Sequence, residues 1–561
     1  MTSIVLGPLL RYVGESEATV WVEVDRPCEV EVLGHRARTW EVGGHHYALV
    51  VVRGLEPGRA HPYEVRLDGE LRWPEQDSPY PPSAIRTLTR GGALRVAFGS
   101  CRLALPHEPP WTLRKDDDER GREGDALYAL VARMLDQPDE HWPHLVVLLG
   151  DQVYADEVSP AAADFIAARR DTSAPPGEEV ADVEEYVRLY WEAWADPPVR
   201  WLLSTVSSAM VWDDHDVHDD WNISHSWVEE MRGRTWWERR LAGAYMTYWI
   251  YQHLGNLSPE VLDEDELYAQ VRAVEGDARP LLHDWAVRVD HRSAGARWSY
   301  HRDLGASRLV MLDSRAGRVL EPRRDMVDEH EWSWIEEQAT GGVDHLLLGT
   351  SLPYLLAPGM HHLEAWNEAV CDGAWGTAAA GLGERLRRGL DLEHWAAFGR
   401  SFRRLSALVE DVGAGRRGPA PASIVALSGD VHHAYLAEVA FRRSAAVGSA
   451  VFQATCSPIR NPLNARERRL MRFGASRSAA AIGHALARLA GVPEPPVRWR
   501  LTGAPTFDNG LAFLVLDGPR ADLRIERTVA DGAGAPGFEC VLERRLASRL
   551  PSGGHVQPDA E

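Results

Sequence analysis

LVVLLGDQVYAD, residues 145–156, begins as an unbroken apolar run and ends in acidic and phenolic side chains. The apolar run stops at Gly150, and a short apolar segment bounded by glycine is typical of a buried strand in a parallel sheet. Asp151, Tyr154 and Asp156 follow at once. Because open α/β sheets bind ligands beyond the carboxyl ends of their strands, we expect these side chains to hold a ligand.

Outward from this stretch, strand-like and helix-like segments alternate, which predicts an α/β fold. Amphipathic segments such as GDALYALVARMLDQ and VEEYVRLYWEAWA separate the apolar runs LRVAFGS, SAMVWD, SRLVMLDS, DHLLLGTS and SIVALSG. Strand patterns return after Ala434 in YLAEVAF, AVFQATC, LAFLVLD and ADLRIERTV. A sandwich of sheets flanked by helices would use both groups of strands.

Turn signals divide the chain into three predicted parts. Residues 1–90 alternate in short strand-like pieces separated by Gly, Pro and Asp, as in a small β-sandwich of the fibronectin III-like kind. A flexible glycine pair at Gly91 precedes a new core strand, so residues 91–545 are predicted as the main domain. The polar segment 546–561 reads as a flexible tail. The basic segment 464–491 is helical in propensity and reads as a solvated helix pair inserted over the core.

Composition restricts the class of protein. The chain has 561 residues, 45% of them hydrophobic, and a net charge of -22, which opposes broad binding to nucleic acid. The five cysteines are odd in number and irregularly spaced, so no disulfide framework is predicted. With no export signal and no long apolar span at the sequence level, we expect a cytoplasmic protein without a transmembrane segment.

Several predicted strands end in residues that can bind metal. Taken singly, each has an ordinary explanation: a buried thiol, a helix cap, a solvated acidic turn or one satisfied histidine. Together they predict a converging site, since ionisable groups placed directly after buried strands are costly without partners. The residues are Cys101, Asp151, Asp213, Asp214, His215, Asp216, Asp430, His432 and His433.

Four motifs together resemble the metallophosphatases of the alkaline phosphatase D (PhoD-like) family, within the calcineurin-like superfamily. They are FGSCR at 98–102, GDQVYAD at 150–156, WDDHDVHDDW at 212–221 and SGDVHHAY at 428–435. The strand-rich N-terminus also looks like the leading domain of the family. The resemblance implies a four-layer αββα metallophosphatase domain that hydrolyses phosphate monoesters or diesters of small molecules.

The resemblance also implies a role for each site residue. Asp151 would bridge two metal ions, and Cys101 and Tyr154 would be ligands of the first. Asp214 would bind the second ion, and His215 would be an unliganded catalytic histidine. Asp430 and His432 would stand in place of a pair of histidines, one on each ion.

The implied metals follow the donor types. Thiolate and phenolate on one ion favour Fe³⁺ at the first site, and an oxygen-rich second site suits Ca²⁺ or another hard divalent ion. The family often has Asn-Asn-Trp where this chain has Asp219, Asp220 and Trp221, so ligation of the second ion differs there. Two such ions can clamp phosphoryl oxygens and activate water for in-line attack.

Three alternatives remain at this level. Cys101 could be the nucleophile of a metal-free hydrolase, although the chain contains no G-x-S-x-G elbow. The glycines of GAGRRG at 413–418 resemble a nucleotide-binding loop, but Pro419 and a strand follow instead of a helix. A non-catalytic interaction protein on the same fold is the third alternative.

Overall fold

The structure, a computed structural model, describes residues 2–292, 296–442, 447–530 and 536–548. Its strands are β1 (Ile4–Val13), β2 (Glu17–Val24), β3 (Glu29–Val32), β4 (His35–Arg38), β5 (Trp40–Val42), β6 (His45–Arg53), β7 (Ala60–Pro62), β8 (Val65–Leu67), β9 (Glu70–Trp73), β10 (Ala84–Arg86), β11 (Leu94–Gly99), β12 (Leu145–Leu149), β13 (Ser207–Val211), β14 (Tyr300–Leu304), β15 (Ser307–Met311), β16 (His345–Gly349), β17 (Ser423–Ser428), β18 (Ala434–Phe441), β19 (Ala450–Thr455), β20 (Val497–Thr506), β21 (Gly510–Asp517), β22 (Arg520–Ala530) and β23 (Pro536–Ala547).

Helices lie mainly between the strands of the second part of the chain. They are α1 (Ala126–Asp136), α2 (Pro160–Arg169), α3 (Val183–Trp194), α4 (Pro197–Thr205), α5 (His225–Arg232), α6 (Trp237–Thr247), α7 (Leu254–Asn256), α8 (Pro259–Glu264), α9 (Glu266–Ala273), α10 (Arg279–Arg292), α11 (Glu329–Gln338), α12 (Pro358–Cys371), α13 (Thr377–Gly389), α14 (Gly399–Gly413), α15 (Ala465–Gly474) and α16 (Arg477–Leu489). No helix in the described ranges is long and apolar enough to cross a membrane.

The N-terminal part is rich in β-structure, as its alternating sequence predicts. Two four-stranded antiparallel sheets form, in the orders β1-β2-β6-β5 and β4-β3-β8-β9. Their valines and other apolar side chains share one core that includes Val20, Val50 and Trp73. Arg11 of β1 is buried and its guanidinium donates to the carbonyl of Gln252 at 2.8 Å, which ties this part to the main domain.

Two larger sheets build the rest of the molecule, a mixed α/β arrangement. One has six strands in the order β13-β12-β11-β21-β22-β23, and the other has seven in the order β14-β15-β16-β17-β19-β18-β20. β12 is parallel to both β11 and β13, and all five of its residues are buried. The prediction of a core parallel strand at this position is confirmed.

Strands β14, β20 and β23 were not predicted from the sequence, and each lies at an edge of its sheet. Edge strands keep one side open to water, so their sequences are polar and lack the apolar run of a core strand. β20, for example, contains VRWRLTGAPT, and Val497 is its only buried residue. β23 reaches Ala547 because it pairs with β22, and residues 549–561 of the predicted tail lie outside the described residues.

The basic insertion forms two helices, α15 and α16, as expected. A capping box between Asn464 and Glu467 starts α15. α16 packs closely on α12: a Cβ atom added at Gly483 would lie only 2.8 Å from the carbonyl oxygen of Gly359, which is too close for any side chain. The small residue at each position therefore allows the two helix backbones to approach.

Candidate metal centre

The predicted site residues converge at the carboxyl ends of parallel strands from both large sheets. Cys101, Asp151 and Asp214 follow β11, β12 and β13 of one sheet, and Asp430 and His432 follow β17 of the other. A cavity of about 250 Å³ opens above them. Its walls are Asp151, Asp214, His215, Asp219, Leu356, Ala357, Met360, Leu390, Asp391, Glu393, His394, Asp430, Val431, His432, His433, Leu463 and Met471.

Four of the predicted ligands have left-handed backbone conformations, which non-glycine residues rarely adopt. The φ angles are 58° at Cys101, 51° at Asp151, 67° at Asp430 and 50° at His432. Such residues cost about 1–3 kcal/mol each and persist where the surrounding structure holds them, often at functional sites. The tight turns aim successive side chains of each loop into one place.

Cys101, Asp151 and His432 form the first cluster, with one potential ligand atom from each lying within 4.8 Å of the others. Tyr154 adjoins it, since its hydroxyl donates to Asp151 Oδ2 at 3.5 Å and accepts from Asn461 Nδ2 at 3.3 Å. Burial lowers the pKa of His432 to about 3, so its imidazole is neutral at pH 7. A neutral imidazole is the form that binds metal.

Cys101 is fully buried, and its thiol contacts the Ser100 and Ser457 hydroxyls at 3.2 Å. Burial raises the pKa of this thiol well above its ordinary value, and the carboxylates of Asp151 and Asp430 raise it further. The nucleophilic form of cysteine is the thiolate, which these surroundings disfavour. The geometry therefore opposes the metal-free Cys101 hydrolase and suits a thiol that ionises on a cation.

Asp151, Asp213 and Asp214 form the second cluster, again with ligand atoms within 4.8 Å of one another. Asp151 Oδ1 and Asp213 Oδ2 are buried and accept no hydrogen bond from any described residue. Burial raises the pKa of Asp151 well above its ordinary value, and the Asp213 and Asp214 carboxylates raise it further. Buried carboxylate oxygens without donors are costly unless a cation compensates them.

Arg315, which sequence reasoning missed, lies among these carboxylates after β15. Its buried guanidinium pairs with Asp213 and with Glu393, and its Nη2 lies 3.2 Å from Asp214 Oδ1 and 3.6 Å from Asp430 Oδ1. The signal in the sequence was an arginine shortly after a core strand end, in MLDSR. A second buried guanidinium, that of Arg318, also pairs with Glu393 at 3.1 Å. The four carboxylates and the nearby Asp151 still outnumber the two guanidinium groups.

Asp216 positions the loops that carry the ligands. Its carboxylate accepts the backbone N–H groups of Asp151 at 3.0 Å, Val153 at 3.3 Å and Asp213 at 2.9 Å. Gln252 adds a side-chain donor at 3.3 Å. These bonds join the loop after β12 to the loop after β13, so the Asp216 carboxylate holds the two ligand-bearing loops in place.

His215 faces the cavity and is held by Asp156. His215 Nδ1 lies 2.9 and 3.0 Å from the two Asp156 oxygens. Nε2, on the side of the ring away from Asp156, lies 3.8 Å from Asp219 Oδ1. The Tyr154 ring lies against the imidazole, with 4.6 Å between centroids. Burial lowers the pKa of His215, but Asp156 and Asp214 outweigh burial and hold it well above its ordinary value.

Asp430 shares the cavity but is engaged by other side chains. His394 Nε2 lies 2.9 Å from Asp430 Oδ2, and His394 Nδ1 lies 2.7 Å from Glu364 Oε1. His394 and Glu364 belong to distant segments that no sequence pattern connected with the site. The role of Asp430 as a ligand stays a prediction, and Arg315 and His394 supply its present partners.

Further carboxylates crowd the rim of the cavity. Burial and neighbouring carboxylates raise the pKa of Asp219 to about 7, that of Asp220 to about 9 and that of Asp391 to about 6. The backbone N–H of Asp220 also donates to Asp214 Oδ2 at 3.1 Å. A set of oxygen, thiol, phenol and imidazole donors with unpaired buried oxygens fits metal cations.

Comparisons with known proteins agree with this site. Residues 123–274 match a family model described as PhoD-like phosphatase, and residues 1–85 match a domain of unknown function, DUF7800. No curated protein sequence matches the chain significantly.

A solved structure titled "Structure of PhoD" superimposes with a TM-score of 0.58 at 14% identity, covering 98% of this chain and 93% of that one. A maltogenic amylase from S. marinus aligns with 9% identity and a TM-score of 0.15 over 93% of this chain and 76% of its own. The family match covers the β12 and β13 loops of the site, and the likeness of fold to PhoD extends over nearly the whole chain, so the resemblance to the PhoD-like phosphatases predicted from the four motifs is confirmed.

Proposed function

We propose that this protein hydrolyses phosphate esters with the help of two metal ions held at the strand ends. The observation that carries the proposal is the convergence of Cys101, Asp151, Asp214 and His432 around buried carboxylate oxygens without donors. The family match, which includes Asp151 and Asp214, supports the same reaction class.

In this proposal the first ion is held by Cys101, Asp151, Tyr154 and His432, and the second by Asp151, Asp214 and Asp430. Thiolate and phenolate donors favour Fe³⁺ in the first position, and carboxylates favour Ca²⁺ or another hard divalent ion in the second. When bound, such ions supply Lewis acidity toward phosphoryl oxygens and toward water. Asp151 reaches both clusters, which supports its bridging role.

His215 is the proposed proton donor to the leaving oxygen. Asp156 fixes the ring through Nδ1, so Nε2 is the nitrogen presented toward the cavity. The neighbouring Asp156 carboxylate raises the pKa of His215 and so favours the protonated imidazole that a general acid requires. His394 carries a similar pair of carboxylate contacts, but it is bonded through both nitrogens and has no free N–H for substrate.

The cavity also bears on the substrate class. Its walls combine carboxylates and histidines with apolar side chains such as Leu356, Met360 and Met471. Phosphoryl oxygens are common to monoesters and diesters, and an apolar wall can accept the organic group of either. We propose small-molecule phosphate esters of both kinds as substrates.

The architecture around this site forms part of the same proposal. We propose a division near Gly91 between a fibronectin III-like sandwich and a four-layer αββα domain. The sandwich is supported by the core that the two N-terminal sheets share. The four-layer arrangement is supported by one continuous apolar core that includes Val147 of the six-stranded sheet and Val425 of the seven-stranded sheet. Two sheets that share a core pack face to face, with helices outside.

Chelation tests the metal requirement. Extended treatment with chelators should abolish turnover of chromogenic monoesters and diesters, and readdition of metal should restore it. Metal content is measured on the same samples by mass spectrometry. Full activity of metal-free protein would overturn the proposal.

A further inference from the structure

The helices α15 and α16, residues 465–489, form a basic cap on an acidic protein. The cap contains six arginines and one glutamate, whereas the whole chain has a net charge of -22. Five of the arginines are exposed, and none of these five forms an ion pair with another residue of the described ranges: Arg466, Arg469, Arg472, Arg477 and Arg488. Their positive charge is therefore free to meet an external anion.

The same cap exposes large apolar side chains. On α15, Leu470 and Phe473 are 55% and 56% exposed, and their spacing of three places them on one face. On α16, Ile482 and Leu489 are 57% and 73% exposed and share a face seven residues apart. The opposite, inward side of α16 is made of small residues that pack on α12.

The exposed apolar surface of the cap continues onto Trp375, which precedes α13. The Trp375 indole is 43% exposed, and its Nε1 donates to the carbonyl of Leu489 at 3.4 Å. Clustered exposed side chains of this size mark an interaction surface, whereas isolated ones do not.

The cap borders the mouth of the candidate metal centre. Met471 of α15 lines the cavity, as does Leu463 just before the helix. A side chain at Gly474, the last residue of α15, would lie 2.7 Å from Cγ of Met360, another cavity residue. A surface that bound the cap would therefore lie beside the cavity opening.

We propose that the basic cap docks the protein on an anionic phospholipid bilayer and brings lipid headgroup phosphodiesters to the cavity. Helices with exposed Leu, Ile and Phe beside arginines are typical of binding at a lipid interface, where each basic residue adds attraction to anionic lipid. The cavity rim is strongly acidic, so docking requires a local cationic surface such as this. The docking is independent of the proposed function, whereas the headgroup substrate rests on it.

Charge favours a membrane over a second copy of the chain. A two-fold contact through the cap would bring two arginine-rich faces together, and like charges in contact are unfavourable. An anionic bilayer satisfies the arginines and accepts the apolar side chains at once.

Flotation of the metal-loaded protein with vesicles tests the docking. The protein should float with vesicles of phosphatidylcholine mixed with phosphatidylglycerol, should not float with phosphatidylcholine alone, and should be released at high salt. Binding to neither kind of vesicle would overturn the proposal. Equal binding to both would remove the role of the arginines and also overturn it.

Matched variants locate the surface. Reversing Arg469 and Arg472 (R469E/R472E) should weaken binding at least about 25-fold, from about fivefold for each basic residue near an anionic surface. Ile482→Glu with Leu489→Glu should abolish flotation, whereas the control Leu33→Glu with Leu71→Glu, at N-terminal residues that are 40% and 43% exposed, should not. Circular dichroism checks that each variant is folded.

Hydrolysis rates on soluble and on membrane-bound substrates distinguish the docking from the chemical step. The cap variants should retain hydrolysis of soluble diesters and lose hydrolysis of vesicle lipids. Undiminished flotation of both cap variants would overturn the proposal. Oligomers of the wild type that dissociate in the cap variants, together with absence of vesicle binding, would assign the face to a second copy. Saturable binding of a protein ligand to the cap without vesicle binding would assign it to a protein partner.

Discussion

Asp156→Asn is expected to slow ester hydrolysis while leaving the metal content near that of the wild type. The Asp156 carboxylate lies 2.9 and 3.0 Å from Nδ1 of His215. It belongs to none of the three groups of potential ligand atoms at the site, of which the third is Asp214, His215 and Asp219. Asparagine keeps the size of the side chain and one acceptor oxygen but loses the negative charge. The substitution therefore acts on the orientation and the pKa of His215.

The two substitutions are expected to differ in the size of their effect on kcat. Removing His215 itself, in His215→Ala, should cost the contribution of a positioned proton donor, about 10²- to 10⁴-fold in kcat. Asp156→Asn should cost less, about 10- to 100-fold, as is usual for residues that orient such a group. The wild-type carboxylate raises the pKa of His215, so its loss lowers that pKa. The alkaline limb of the kcat profile, where His215 loses its proton, should move to lower pH.

Initial rates on a chromogenic ester across a range of pH, with metal analysis of each sample, measure both effects. Asp164→Asn, at an exposed carboxylate of α2, is the matched control and should behave as wild type. Metal lost in proportion to activity in Asp156→Asn would make Asp156 a ligand. An unchanged rate and pH profile would refute the role of His215 as a proton donor.

The remaining predictions concern the ligands, the substrates and the contact between the two parts of the chain. Asp151→Asn should lose metal with the fold intact, measured by metal analysis and circular dichroism; full metal content would remove Asp151 from the ligands. Aerobically purified protein should absorb visible light through phenolate and thiolate bound to ferric iron, and Tyr154→Phe should bleach or shift the band; an unchanged spectrum would exclude Tyr154. Both monoesters and diesters should be hydrolysed in a varied panel, and strict monoester turnover would contradict this breadth. His45 forms ion pairs with Glu23 and Glu184. Burial lowers the pKa of His45, but Glu184 and Glu23 raise it overall to about 9. While the glutamates are ionised, these ion pairs therefore stabilise the fold fully below about pH 6.5, and less as pH rises through about 9. Near pH 6, where His45 is charged and both glutamates are ionised, His45→Gln should thus lower the free energy of unfolding by about 1 to 2 kcal/mol, after allowance for solvent screening. The difference from wild type in denaturant melts should vanish above about pH 9; a difference that grows between pH 6 and pH 9 would refute the pairing.

Local patterns in the sequence were sufficient for much of the fold. A buried strand such as β12 needs apolar residues in succession, and the loop that follows it shows its polar residues in the next few positions. This is why Asp151, Tyr154 and Asp214 could be placed at strand ends, and why the matching family could be recognised from four short motifs. Edge strands such as β20 were missed because their residues face water and are as polar as those of loops.

The contacts between distant segments were decided by the tertiary structure alone. Arg315 lies about one hundred residues from Asp213 in sequence, yet the packing of the two large sheets brings its guanidinium among the carboxylates of the site. His394 likewise meets Asp430 only because α12 and the segment before α14 fold over the cavity. Asp156 was visible in the opening stretch, but its pairing with His215 depends on the relative position of two loops. The kinds of metal ligand could be predicted from the sequence, because each motif contains its own candidate ligands. Their pairing and their protonation depend on burial and on charges brought together from far along the chain, which no local pattern records.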